Sequence, residues 1–108
     1  MGDFGNEAAA ELLGDFLRDA GPRIADLRRM FSSGDPETFA RAAHSLAGGS
    51  GIFGLERMRR LGLDIEAATR VSNRDEAEAR LKELTAIYET LEPVLQKRLH
   101  GLQQPVPG

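Results

Sequence analysis

The chain has 108 residues, a formal net charge of −3 and no cysteine. That length suits one domain with a core of its own. The missing thiols exclude disulfides and thiolate metal sites, and the acidic balance disfavours general nucleic-acid binding. No apolar run approaches the roughly 20 residues that a membrane helix needs. The opening MGDFGNEAAAE is acidic, with no basic region leading into an apolar core, so no secretory signal is expected. These features predict a soluble, cytoplasmic, monomeric domain over residues 1–108, with a core from about residue 8 to 100 and a frayed tail at 101–108.

The apolar pattern is helical throughout. Leu13, Phe16, Leu17, Ala20, Ile24, Leu27 and Phe31 recur at spacings of three and four. The register survives Gly21 and Pro22, which predicts either one long helix kinked there or two nearly collinear helices. SSGDPE marks the end of this segment. Gly34 is the expected left-handed C′ residue, Asp35 the cap of the next helix, Pro36 its first residue, and Glu37 a favourable charge at its positive end.

The second helix starts at Pro36 and runs into a glycine-rich stretch that Gly54 is expected to end. A third carries Leu55, Met58, Leu61, Ile65 and Ala68 and stops near VSN. Asn73 followed by Glu76 resembles a capping box, opening a fourth helix with Ala77, Leu81, Leu84, Tyr88, Leu91, Leu95 and Leu99, bent at Pro93. There is no strand pattern. Four amphipathic helices on short connections predict an all-α fold, an up-down antiparallel four-helix bundle.

The run HSLAGGSGIFG, residues 44–54, holds four glycines, although each glycine inside a helix costs roughly 1 kcal/mol relative to alanine. At about 100° per residue, Phe39, Ala42, Leu46, Gly49 and Phe53 fall opposite His44 and are expected to face the core. His44 then points outward among Ala40, Arg41, Ala47, Gly48, Gly51 and Leu55. Most of these neighbours are small, so a partner can approach the imidazole closely. An outward histidine alone is ordinarily a surface residue; the conjunction with a stripped face is what singles it out.

RAAHSLAGGSGIFGLERM resembles the signature of histidine-containing phosphotransfer (HPt) domains, approximately Ala-His-x-Leu-Lys-Gly-x-x-x-x-x-Gly. Ala43, His44, Leu46, Gly48 and Gly54 match it. The local wording is similar to the N-terminal phosphotransfer domain of chemotaxis histidine kinases, and the likeness covers roughly residues 10–100. The resemblance implies a helical bundle with one exposed histidine, His44, that takes a phosphoryl group from a histidine kinase or a receiver aspartate and passes it to another receiver aspartate. The family usually has lysine three residues after the histidine, where this chain has Ala47. Arg41, one turn before His44, and Arg70, on the third helix, are the candidate replacement charges.

A free imidazole has a pKa near 6.5, so a good fraction is neutral and nucleophilic at pH 7. Glu66 is the candidate acceptor for its second nitrogen. Residues 44 and 66 lie about equally far from the turn near Gly54 and Leu55, and the resemblance gives a glutamate there the orienting part. That arrangement has Glu66 accepting from Nδ1 and Nε2 left outward. Ser45, Ala47, Gly48 and Gly51 are the expected partner-binding residues. Arg57, Arg59, Arg60 and Arg70 make the third helix basic, an ordinary solvated face that can also steer an acidic receiver. His100 suits the negative end of the last helix. No zinc spacing and no phosphate-binding glycine loop occur, so no metal or other cofactor is expected. The leading expectation is a phosphocarrier rather than an enzyme. The alternatives are an adaptor that docks receivers without being phosphorylated, and the excised phosphotransfer domain of a larger kinase.

Overall fold

The computed structural model describes residues 3–52 and 55–104. It contains four helices: α1 (Asp3–Ser33), α2 (Pro36–Ile52), α3 (Glu56–Arg70) and α4 (Arg74–Gln103), and no strand among the described residues. They pack as a ring in which α2 meets α3, α3 meets α4, α4 meets α1 and α1 meets α2. The core is a single cluster. Ile24 and Leu27 come from α1, Phe39 and Leu46 from α2, Met58 and Ile65 from α3, Leu81 and Leu84 from α4. These are the large apolar residues at spacings of three and four, and removing them from water is the main driving force.

α1 is one helix of 31 residues with Pro22 inside it, not two segments. Pro22 and Arg18 are both exposed, so the backbone bond lost at Pro22 lies on the solvent side of the helix. α4 likewise runs unbroken for 30 residues through an exposed Pro93, and it continues past residue 100, to Gln103. Both are about twice as long as α2, at 17 residues, and α3, at 15. The excess length draws the molecule out to 56 Å against 20 Å across.

The turns are made by local chemistry. Asp35 caps α2, its Oδ2 accepting from the Thr38 amide at 3.1 Å and hydroxyl at 3.2 Å. Gly34 is not in the left-handed region expected of it. It is needed because a Cβ there would sit 2.8 Å from the Met30 carbonyl oxygen. The left-handed residue is instead Ser72, with φ 58°, after α3. There the Asn73 amide donates to Ala68 and the Ser72 amide to Thr69, the paired bonds of a Schellman ending. Asn73 then caps α4 by accepting from the Glu76 amide at 3.2 Å.

α2 is rotated from the orientation expected of it. Its buried residues are Phe39, Ala40, Ala43, Leu46, Ala47 and Ser50, whereas Ala42 and Gly49 are only half-buried. Phe53 and Gly54 lie outside the described residues. The rotation follows from a close contact with α3. A Cβ on Gly62 would lie 2.9 Å from the Ala47 Cβ and 3.0 Å from the Ala43 carbonyl oxygen. Small residues on both sides let the two backbones approach, so Ala47 packs on α3, and Ala40 and Ala43 are buried rather than exposed to solvent.

Gly62→Ala tests this contact. Overpacking costs about 1–3 kcal/mol, and the gain in helix propensity returns about 1 kcal/mol. The variant is expected to be destabilised in denaturant unfolding, with an unchanged m-value. A variant more stable than the parent would show that α2 and α3 are not in close contact at Gly62.

Candidate functional site

The α2–α3 contact sets the functional face. Going along α2, Glu37 meets Arg70, His44 meets Glu66, Ala47 meets Gly62 and Gly51 meets Arg59, so the partners on α3 run in opposite order. His44 stands on α2 with 64% of its side chain exposed. Its Nδ1 lies 2.9 Å from Glu66 Oε1. A carboxylate only accepts, so the proton of this bond belongs to Nδ1. In the neutral ring Nε2 then carries the lone pair. Nε2 has no hydrogen-bond partner among the described residues.

Glu66 is the less exposed member of the pair, at 19%. Its pKa is held below the ordinary value of 4.5, first by the hydrogen bond from His44 and, against the opposing effect of burial, by Arg70. Arg70 reaches Glu66 Oε2 with Nη2 at 3.2 Å and Nε at 3.4 Å, and Glu37 Oε2 with Nη1 at 3.0 Å. Its own pKa is raised, first by the Glu66 hydrogen bond. Arg41 lies 3.7 Å from the other oxygen of Glu37 and is 72% exposed. Two carboxylates and two guanidiniums thus connect to one imidazole across two helices.

The expected partner-facing residues divide. Ser45, Gly48 and Gly51 are exposed, and Gly48 has nothing within 4 Å of where its Cβ would be. Ser45 Oγ accepts from Arg23 Nη1 of α1 at 3.1 Å. A shallow groove beside it is walled by Phe16, Asp19, Arg23, Gly49 and Ile52, the last 70% exposed. Ala47, by contrast, is 1% exposed and packs on α3. The expectation that it lines a partner surface is corrected: its side chain lies in the α2–α3 seam. Ala40, also expected outside, is buried with it. On α3, Arg57 lies 3.8 Å from Glu83 and Arg60 lies 4.0 Å from Glu56, while Arg59 bonds Glu56. The basic run is therefore locally neutralised. His100 contacts Gln104, away from this face.

Two residues of the site carry no obvious mark in the sequence. Glu37 reads as a helix-end charge; its only other local signal is Arg41 four residues on. Gly62 is an unexplained glycine within the amphipathic pattern of α3, a sign of close packing. Among the described residues, no group of three potential metal ligands is found. No described helix is long and apolar enough to cross a membrane.

An outward imidazole, held by a carboxylate through one nitrogen and bare at the other, sits here on a helical bundle. The family model described as "Hpt domain" matches residues 11–103, most of the chain. The chain belongs to the Hpt-domain family. Hpt domains are phosphocarrier modules of two-component signalling, without an ATP-binding kinase site, and they interact with kinases and receiver domains. No curated protein and no solved structure gives a significant match to this Hpt chain.

The lowered pKa of Glu66 carries a pH prediction. A carboxylate depressed in the folded state contributes stability that is present above its unfolded pKa and is lost as pH falls through the folded one. The difference in unfolding free energy between the parent and Glu66→Gln should narrow as pH falls below the ordinary value of 4.5. Urea titrations at a series of pH values measure this. A difference that does not narrow on acidification would contradict the His44–Glu66 bond.

Proposed function

We propose that this chain is a histidine phosphotransfer module that accepts a phosphoryl group on His44 and passes it to a receiver-domain aspartate. The observation that carries the reading is the His44 ring, tied at Nδ1 to Glu66 with Nε2 open. Nε2 attacks the phosphorus of an aspartyl phosphate or of a kinase's phosphoryl donor. The N–P bond forms as the P–O bond breaks, and the carboxylate or other leaving oxygen departs with the electron pair. The ring becomes positively charged while Nδ1 keeps its proton, so the base has nothing to remove. Glu66 faces that developing charge, which is electrostatic stabilisation by a preorganised group. Reversal toward a second receiver uses the same geometry, since phosphoryl transfer asks mainly for positioning and charge compensation.

In this reading Arg41 supplies charge near the phosphoryl oxygens, being highly exposed and only loosely tied to Glu37. Arg70 is held by two carboxylates and acts mainly on Glu66. Gly48 and Gly51 keep the approach to the ring low, and Ser45 with the neighbouring groove receives the partner. The partners are response-regulator receivers and a histidine kinase, any ATP and magnesium belonging to them. The opposite order of partners along α2 and α3 supports an up-down antiparallel bundle. The continuous core supports a single domain, and in this reading it acts as a monomer in the cytoplasm.

One observation favours a second reading, a receiver-docking adaptor that is never phosphorylated. Ala47, where the family usually carries lysine, leaves the site without that charge. A single experiment separates the two. The protein is incubated with phosphorylated receiver domains, or with kinases, ATP and magnesium, and acid-labile, base-stable phosphate is followed. Label is expected on the parent and absent from His44→Gln. Receiver binding without label, unchanged in His44→Gln, establishes the adaptor instead.

A further inference from the structure

Glu37 stands in the first turn of α2, two helical turns before His44, yet it connects to the imidazole through the opposite helix. Its Oε2 accepts from Arg70 at 3.0 Å. Arg70 holds Glu66 Oε2 at 3.2 Å, and Glu66 Oε1 holds His44 Nδ1 at 2.9 Å. The two oxygens of Glu66 thus have separate tasks, one on the ring and one on the guanidinium. A carboxylate tied through one oxygen can swing about its last torsion, which is broad and soft. A second tie fixes its plane. Arg70 is itself long and flexible, and the i,i+4 pairing along α3 restrains it at one side only. Glu37 restrains it from α2, the helix that carries His44. The loop of contacts therefore closes across the seam, from α2 to α3 and back.

We propose that Glu37 is a positioning residue for phosphotransfer: by gripping Arg70 across the α2–α3 seam it fixes Glu66 on Nδ1 and keeps His44 in the tautomer whose Nε2 is free to attack. Its role in transfer rests on the phosphotransfer reading; its effect on the ring does not. The size of the effect is bounded by exposure. Glu37 and Arg70 are 56% and 45% exposed, so water weakens their pairing. Glu37→Ala is expected to slow transfer about threefold to fivefold, the factor that an exposed ion pair allows.

The test uses the full chain as the parent, Glu37→Ala, Arg70→Ala and the double variant. Ring-nitrogen NMR shifts report the His44 tautomer without phosphorylation, the phosphoryl-transfer rate is measured separately, and thermal unfolding reports stability. The expected result is a larger share of the Nε2-protonated tautomer and slower transfer in Glu37→Ala. Unfolding should be near the parent's, and the double variant no worse than Arg70→Ala, since both residues act through one contact. Unchanged His44 ring shifts in Glu37→Ala would overturn the proposal, even if transfer slowed. If the parent takes no phosphate from any donor, the functional reading fails, while the ring shifts still decide whether Glu37 sets the tautomer.

Discussion

The close approach of α2 and α3 is the constraint on which the functional face depends. It exists because Gly62 has no side chain to set against the Ala43 carbonyl and the Ala47 methyl. Interiors are packed to crystal-like density, so one added methyl at such a point is felt by its neighbours. With the backbones close, side chains of ordinary length bridge the seam. His44 reaches Glu66 and Glu37 reaches Arg70, each at hydrogen-bond distance. Helices held farther apart would leave the imidazole free to rotate and its tautomer undetermined.

That seam also changes what the small residues around His44 mean. Ala40 and Ala47 are buried, Ala47 against Gly62 of α3, whereas Gly48 and Gly51 are exposed. Gly48 leaves open space on the exposed face of α2, and Ala47 belongs to the α2–α3 contact. The departure at Ala47 from the family's usual lysine therefore falls at the edge where packing and chemistry compete. A short apolar side chain there fits the tight contact, and in the proposed transfer the missing positive charge is assigned to Arg41 of α2. Glu37 stands between Arg41 and Arg70 and shares its oxygens between them.

Much of this was legible in the sequence because large apolar side chains at helical spacing bury wherever the helices meet. Leu13, Ile24 and Leu27, then Met58 and Ile65, then Leu81 and Leu84 are all in the core as their periodicity implies. The caps at Asp35 and Asn73 follow from side-chain chemistry within three residues. The orientation of α2 was not legible. A helical wheel weighted by residue size puts Ala42 and Gly49 inward with Phe39 and Leu46, and it has no means of knowing that a glycine on another helix will draw Ala40, Ala43 and Ala47 inward instead. The proline at 22 bends expectation for a similar reason: whether a lost backbone bond breaks a helix depends on whether water reaches the carbonyl. The His44–Glu66 contact could be anticipated from equal distances to a turn, but the part of Glu37 and Arg70 in holding it required the two helices to be laid side by side.

In the proposed transfer Glu66 holds Nδ1 and leaves Nε2 as the nucleophile. The most direct measurement is the isomer of the phosphohistidine, read from phosphorus–nitrogen and proton–nitrogen couplings in NMR spectra of the freshly phosphorylated protein under alkaline conditions. Phosphate is expected on Nε2 of His44. Phosphate on Nδ1 of His44 would contradict this, because that nitrogen cannot at once face Glu66 and carry the phosphoryl group.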